Sequence, residues 1–244
     1  MVPPPQLSLI VPAYNEVRSI RRTLQTIQAY VDAAGLSYEL IVAADGDDGT
    51  RELVSGLAAS DPRIQVMGSS RRGGKGRGVR SGVAAATGKI IGFVDADNKT
   101  PIEELEKILP WFERGYDVVI GSRAMPESQI DMQQKLYRRF GSRVFGVGMH
   151  LAVGLWNIRD TQCGFKFFRY EVAKDLFARQ RIDGYMFDVE LLCLAEQSGY
   201  RIKETGIRWQ DDGDSRLQLV AGNWRNMLDL IRIRFGRRVG RITA

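Results

Sequence analysis

Asp95-Ala-Asp97 directly follows the apolar stretch Ile90–Val94, so two carboxylates stand where a buried strand would end. Hard oxygen ligands in that position suit Mg²⁺ or Mn²⁺. An isolated acidic pair also serves as a helix cap, here for a helix starting near Pro101, and position after a strand is what points to a ligand role. Asp45 ends a second apolar run in AADGDDGT, where Asp48 reads as turn chemistry and Asp45 as the ligand candidate. The stretch SSRRGGKGRGVRSG sets Arg71, Arg72, Lys75, Arg77 and Arg80 among glycines, so cations and backbone amides can both approach phosphate. It lacks the order GxxxxGK[ST], which argues against a Walker-type ATPase. Lys75, between glycines just before a helix, is the preferred phosphate contact. Asp188 and Glu190 stand two apart in FDVELL; on a helix they point to different faces, so at most one enters a shared pocket. Asn98-Lys99-Thr100 matches a glycosylation sequon and is read as chance.

These residues need elements to hold them. Apolar runs rich in β-branched residues occur at Leu7–Val11, Leu40–Val42, Ile64–Met67, Ile90–Val94 and Val118–Ile120, with helical stretches between them. Runs without polar alternation predict strands buried on both faces, as in an α/β fold with a mostly parallel sheet flanked by helices. Ligands of such sheets bind beyond the carboxyl ends of the strands, where each segment is polar, glycine-rich or acidic. Farther on, Leu136, Phe140, Val144, Gly148, Leu151 and Leu155 recur at helical spacing among Lys135, Arg138, Arg139 and Arg143, predicting a basic amphipathic helix. A second is expected through Leu217–Phe235, followed by Arg237, Arg238 and Arg241.

Composition narrows the chemistry. The 244 residues are 44% hydrophobic and 26% charged, as in soluble globular proteins, which excludes disordered, collagenous and disulfide-scaffold classes. Thirty-five Lys and Arg against 29 Asp and Glu give a net charge of +6 and imply an anionic partner. With His150 the single histidine, chemistry should rest on carboxylates and arginines. Two cysteines without a leader before Pro3 suggest reduced thiols in a cytoplasmic protein, and no apolar stretch reaches the ~20 residues of a membrane span. Aromatics do not interleave with the basic clusters, so nucleic acid is not the expected partner.

SLIVPAYNE, ADGDDGT, GKG, VDAD, DVVIGSR, DTQCGFKFF and FDVELL occur in an order and spacing that resembles the inverting glycosyltransferases of family 2, of GT-A fold, over nearly all of Leu7 to Leu217. DTQCGFK with FDVE looks most like the dolichyl- or polyprenyl-phosphate glucosyltransferase branch, next to the polyprenyl-phosphate mannose synthases. The resemblance implies a catalytic domain over residues 1–215 and a basic helical tail over 216–244. It implies metal-dependent transfer of a sugar, glucose from UDP-glucose, to a polyprenyl phosphate with inversion. Pro12, Ala13, Tyr14, Glu16, Asp45, Lys75 and Ala96 would line the nucleotide-sugar pocket, Asp95 would reach the ribose or metal, and Asp97 would ligate the metal.

A hydroxyl acceptor must lose a proton and would require a base such as Asp188, whereas a lipid phosphate is already a nucleophile and requires cations to hold it. By position in the family, Arg123, Arg138, Arg139, Arg143 and Arg216 would hold the acceptor phosphate; Asp188, Arg123 and Arg139 are the expected catalytic residues. Ala44-Asp45 replaces the usual acidic pair, leaving base recognition to one acid. Lys99 replaces a glutamine ligand of the mannose synthases, which argues against their metal site. The N-terminal span of the eukaryotic glucosyltransferases is not seen here, so docking to an anionic membrane surface at its cytoplasmic face is expected of Met132–Trp156 and the arginine tail. The alternatives are a soluble family 2 enzyme with Asp188 as general base, a mannose synthase using GDP-mannose, and a nucleotidyltransferase.

Overall fold

The computed structural model describes residues 3–131, 153–210 and 223–240, with the side chains of the last helix described over 226–235. The five apolar runs form β1 (Leu7–Tyr14), β2 (Tyr38–Asp45), β3 (Ile64–Met67), β4 (Ile90–Val94) and β5 (Val118–Ser122). β1 and β2 run past their apolar cores because the parallel ladder continues to the Tyr14–Asp45 pair, carrying polar residues to the sheet edge. β7 (Phe165–Arg169) and β8 (Ile202–Gly206) complete a seven-stranded sheet in the order β3-β2-β1-β4-β7-β5-β8. β7 runs antiparallel between β4 and β5; the other pairings are parallel. β6 (Gln129–Asp131) and β9 (Arg208–Gln210) form a separate two-stranded pair.

The helices are α1 (Ile20–Ala33), α2 (Thr50–Ser60), α3 (Lys75–Ala85), α4 (Leu105–Glu113) after a 3₁₀ turn at Ile102–Glu104, α5 (Tyr170–Arg179), α6 (Phe187–Gln197) and α7 (Asn223–Gly240). Leu7, Leu9 and Val11 join one apolar cluster, with Leu24 of α1 and Ile108 of α4, while Ile10 joins the other, with Val79 of α3 and Leu191 of α6. Both faces of the sheet are therefore covered, which is why its strands lack polar alternation. Residues 217–222 of the second expected helix lie outside the described residues; from Asn223 on it is α7, which packs against α6 and buries Leu230 and Ile233. Of the expected helix through Leu136–Leu155, only Val153 to Leu155 lie within the described residues, and Leu155 is buried in the core. Among the described residues no helix is long and apolar enough to cross a membrane.

Candidate active site

β4 delivers Asp95 and Asp97 to the carboxyl edge of the sheet. The Asp95 N–H donates to the Gly164 carbonyl at 3.1 Å, and Thr23 Oγ1 of α1 donates to the Ala96 carbonyl at 2.7 Å, so the turn is held from both sides. Asn98 then adopts φ 55, a left-handed conformation that asparagine tolerates, and the chain turns away from the sheet. Ala96 points into the core while the two carboxylates remain about two-fifths exposed, at 41% and 42%. Desolvation and the negative charge of Asp95 push the Asp97 carboxyl above its ordinary range, against the pull of Lys99 and Lys75.

Lys75, the first residue of α3, places Nζ 2.6 Å from Asp95 Oδ1. Burial disfavours its charge, but Asp95, Asp188 and Asp97 outweigh this and raise its pKa. Gly74, immediately before it, is required by packing: its φ is +105, and a Cβ there would stand 2.2 Å from the Asp183 carbonyl oxygen. Asp45 accepts the Ser69 and Gly73 N–H groups at 3.1 and 2.7 Å, so in this structure it fastens the basic loop to β2. Arg72 lies over the Tyr14 ring, 4.4 Å from its centroid, and donates to the Tyr185 hydroxyl at 3.1 Å, crossing the rim of the cleft.

The segment from Asp160 into β7 supplies the third side. Arg123 donates from Nε and Nη2 to the two Asp160 oxygens at 2.7 and 2.9 Å, and its own N–H adds a bond at 2.9 Å. Burial would raise the Asp160 carboxyl, but Arg123 holds it down at about 2, and Asp160 in turn raises Arg123. Lys166, fully buried, donates to Asp188 Oδ1 at 2.7 Å and to the Cys163 carbonyl at 2.6 Å. Burial pushes the Asp188 carboxyl up against the attraction of Lys166 and Lys75. Arg123 and Lys99 both approach the ring of Trp209 of β9, at 5.5 and 5.9 Å from its centroid.

The donor set fits a hard divalent cation. Asp95 and Asp97 share one edge, raise each other's energy when both ionised, and together offer the oxygens such an ion takes. Among the described residues no third carboxylate, cysteine or histidine joins them, so the remaining positions would be left for phosphate oxygens and water. The cleft thus combines a carboxylate pair, a cation at a helix start and an arginine held by an acid, a set suited to a diphosphate leaving group.

The other expected residues lie along the same edge or at the starts of the neighbouring helices. Pro12 is half-buried, and Ala13 and Ala96 are buried at 5% and 6%. Tyr14 stands exposed at the rim, and Glu16 accepts from Ser19 Oγ at 2.6 Å at the start of α1. Asp48 accepts from the Thr50 N–H and hydroxyl and the Val17 N–H, as its turn reading requires. Glu190 faces away from Asp188 and accepts the N–H groups of Arg181 and Ile182. Arg138, Arg139, Arg143 and Arg216 lie outside the described residues. Asp160, Gly164 and Lys166 enter the sequence reading only as parts of the motif DTQCGFK, with no role of their own, and Trp209 not at all; the further signal was a lone lysine inside the apolar run Phe165-Lys-Phe-Phe168.

The mostly parallel sheet, with carboxylates and cations gathered at its carboxyl edge, is an α/β architecture built to bind a ligand there. The glycosyl transferase family 2 model matches residues 8–177, and the chain belongs to that family. A dolichyl-phosphate β-glucosyltransferase of Trichomonas vaginalis is 32% identical over 247 residues, which span 96% of this chain and 72% of that protein. The human dolichyl-phosphate β-glucosyltransferase is 31% identical, over 96% of this chain and 76% of its own length. Glucosyl-3-phosphoglycerate synthase of Mycobacterium tuberculosis, solved with UDP, shares the fold with a TM-score of 0.69 at 20% identity, covering 95% of this chain and 80% of that one.

Proposed function

We propose that the protein transfers glucose from UDP-glucose to a polyprenyl phosphate, with inversion, using Mg²⁺ or Mn²⁺ at Asp95 and Asp97. The observation that carries the choice of acceptor is the burial of Asp188. The base that a hydroxyl acceptor would require is 3% exposed and tied to Lys166 at 2.7 Å, whereas a phosphate nucleophile arrives already ionised. The similarity to dolichyl-phosphate β-glucosyltransferases over 96% of the chain supports the same acceptor class.

In this reading Lys75 holds Asp95 in place and lies beside the donor diphosphate. Arg123, braced by Asp160 and resting on Trp209, presents its remaining N–H groups to the acceptor phosphate. Arg138, Arg139, Arg143 and Arg216 would complete the acceptor site. The metal, when bound, neutralises charge developing on the departing nucleotide. Asp188 orients the lysines and the donor sugar.

The protein is proposed to work as a peripheral enzyme at the cytoplasmic face of an anionic membrane. Support comes from α7, where Met227, Leu228, Ile231 and Phe235 are each about half exposed, among arginines at 225, 232, 234, 237 and 238. Incubation with labelled UDP-glucose, a divalent metal and a polyprenyl phosphate should yield a lipid-extractable sugar. Transfer only to hydroxyl-bearing acceptors, or no lipid product with either UDP-glucose or GDP-mannose, would overturn the proposal.

A further inference from the structure

We infer that Lys166 is a positioning residue of the reaction, acting through Asp188 to fix the Lys75–Asp95 pair; the inference rests on the assignment of Asp188 to the site. Lys166 belongs to β7, the strand that runs against the direction of its neighbours, and pairs there with Phe93 of β4 and Ile120 of β5. Its ammonium group is fully buried at 0% exposure, among the rings of a phenylalanine-rich core, and 5.6 Å from the Phe93 centroid. Taking an ammonium and a carboxylate out of water is expensive, and apolar residues of similar volume commonly serve a fold as well or better. Packing alone therefore does not require this pair.

Its placement is informative. One short segment braces three groups of the cleft: Asp160 grips Arg123, Gly164 makes room for the Asp95 carboxylate, and Lys166 holds Asp188. At Gly164 a Cβ would meet Asp95 Oδ2 at 2.0 Å, so the residue that leads into β7 lies directly against the metal-side carboxylate, and Lys166, two residues on, reaches the other acid. Asp188 lies in the first turn of α6, where the helix dipole also favours its negative charge. The start of α6 packs on the start of α3, where a Cβ on Gly76 would stand 2.6 Å from Phe187 Cβ, and the Lys75 and Lys166 ammonium groups lie 6.0 and 5.6 Å from one ring, that of Phe93. From there the Asp188 charge acts on Lys75, which pairs with Asp95 at 2.6 Å. The order is Cys163 carbonyl, Lys166, Asp188, Lys75, Asp95, with the backbone at one end and the donor diphosphate position at the other. Removing Lys166 leaves Asp188 without its direct partner and free to draw Lys75 away from Asp95.

The test is a cycle of Lys166→Met, Asp188→Asn and the double variant, assayed with UDP-glucose and polyprenyl phosphate below the measured Tm of each protein. A displacement of about an ångström in such a site is typically a 100-fold effect, so Lys166→Met is expected to lower kcat roughly 100-fold, with little change in KM for the donor. The double variant should have the kcat of Asp188→Asn with no further loss, because effects transmitted through one partner do not add. If Lys166→Met alone fails to fold, the double variant, which buries no charge at either position, keeps the comparison with Asp188→Asn available. Near-wild-type kcat in folded Lys166→Met, or an additional loss in the double variant, would overturn the inference. Near-wild-type kcat in Asp188→Asn would instead remove the role of Asp188 itself, and the inference with it.

Discussion

Replacing Gly164 by alanine should disable the site while sparing the fold. The new methyl carbon would lie 2.0 Å from Asp95 Oδ2, 2.3 Å from its Cγ and 2.5 Å from Oδ1. Ordinary contact begins near 3.4 Å, so the carboxylate must retreat by about 1.4 Å. The obstructing atoms are the end of one side chain at the rim of a cleft, about two-fifths exposed, and rotation of that side chain relieves the clash without moving the sheet. The same rotation breaks the 2.6 Å pair with Lys75 and takes one oxygen donor away from the position shared with Asp97. Misplacement by an ångström in a preorganised site is worth roughly 100-fold, so kcat/KM should fall by at least that factor, about 2.7 kcal/mol of transition-state stabilisation. Steady-state transfer from labelled UDP-glucose, measured across a Mn²⁺ titration, would show the loss together with a higher metal requirement, while the thermal transition moves by only a few degrees. A Gly164→Ala enzyme within threefold of wild type at ordinary metal concentrations would refute the placement of Asp95 in the reaction.

Other outcomes follow from particular contacts. Gly56 lies in α2 with open space around its Cα, so Gly56→Ala should stabilise the protein by about 0.4–1 kcal/mol and leave transfer unchanged, read as a raised Tm beside unaltered kinetics. The Asp160 carboxyl is held at about 2 against an ordinary 3.8, so its ion pair with Arg123 contributes about 2 kcal/mol that is present above pH ~4 and is lost as pH falls through ~2. The Tm gap between wild type and Asp160→Asn should therefore narrow from pH 5 to pH 2, and a gap of constant size would contradict the assignment. Cys163 and Cys193 are buried and not joined in a disulfide, and burial pushes the Cys163 thiol up to about 12. A thiol-specific reagent at pH 8 should label neither in the native protein and both after denaturation; rapid native labelling would show an accessible thiolate.

How far the sequence reaches depends on how local the determining physics is. β1 to β5 and the acids that follow β2 and β4 are legible because a strand buried on both faces must be a continuous apolar run, and the polar residues that end it must emerge at one edge. The turn role of Asp48 and the divergence of Asp188 from Glu190 are equally local, fixed by i to i+2 geometry. What sequence spacing does not contain is which charged groups meet across strands. Lys166 and Asp188 are 22 positions apart, Arg123 and Asp160 are 37 apart, and Asp95 meets Gly164 only because β7 enters the sheet antiparallel beside β4. That insertion decides that Asp188 is an ion-paired, buried acid, while Asp45 fastens a loop because the chain leaving β3 returns across the end of β2. Residue types announced a carboxylate site for a nucleotide sugar; the long-range strand pairing, where desolvation magnifies each charge, decided which of those residues face the cleft and which hold the others there.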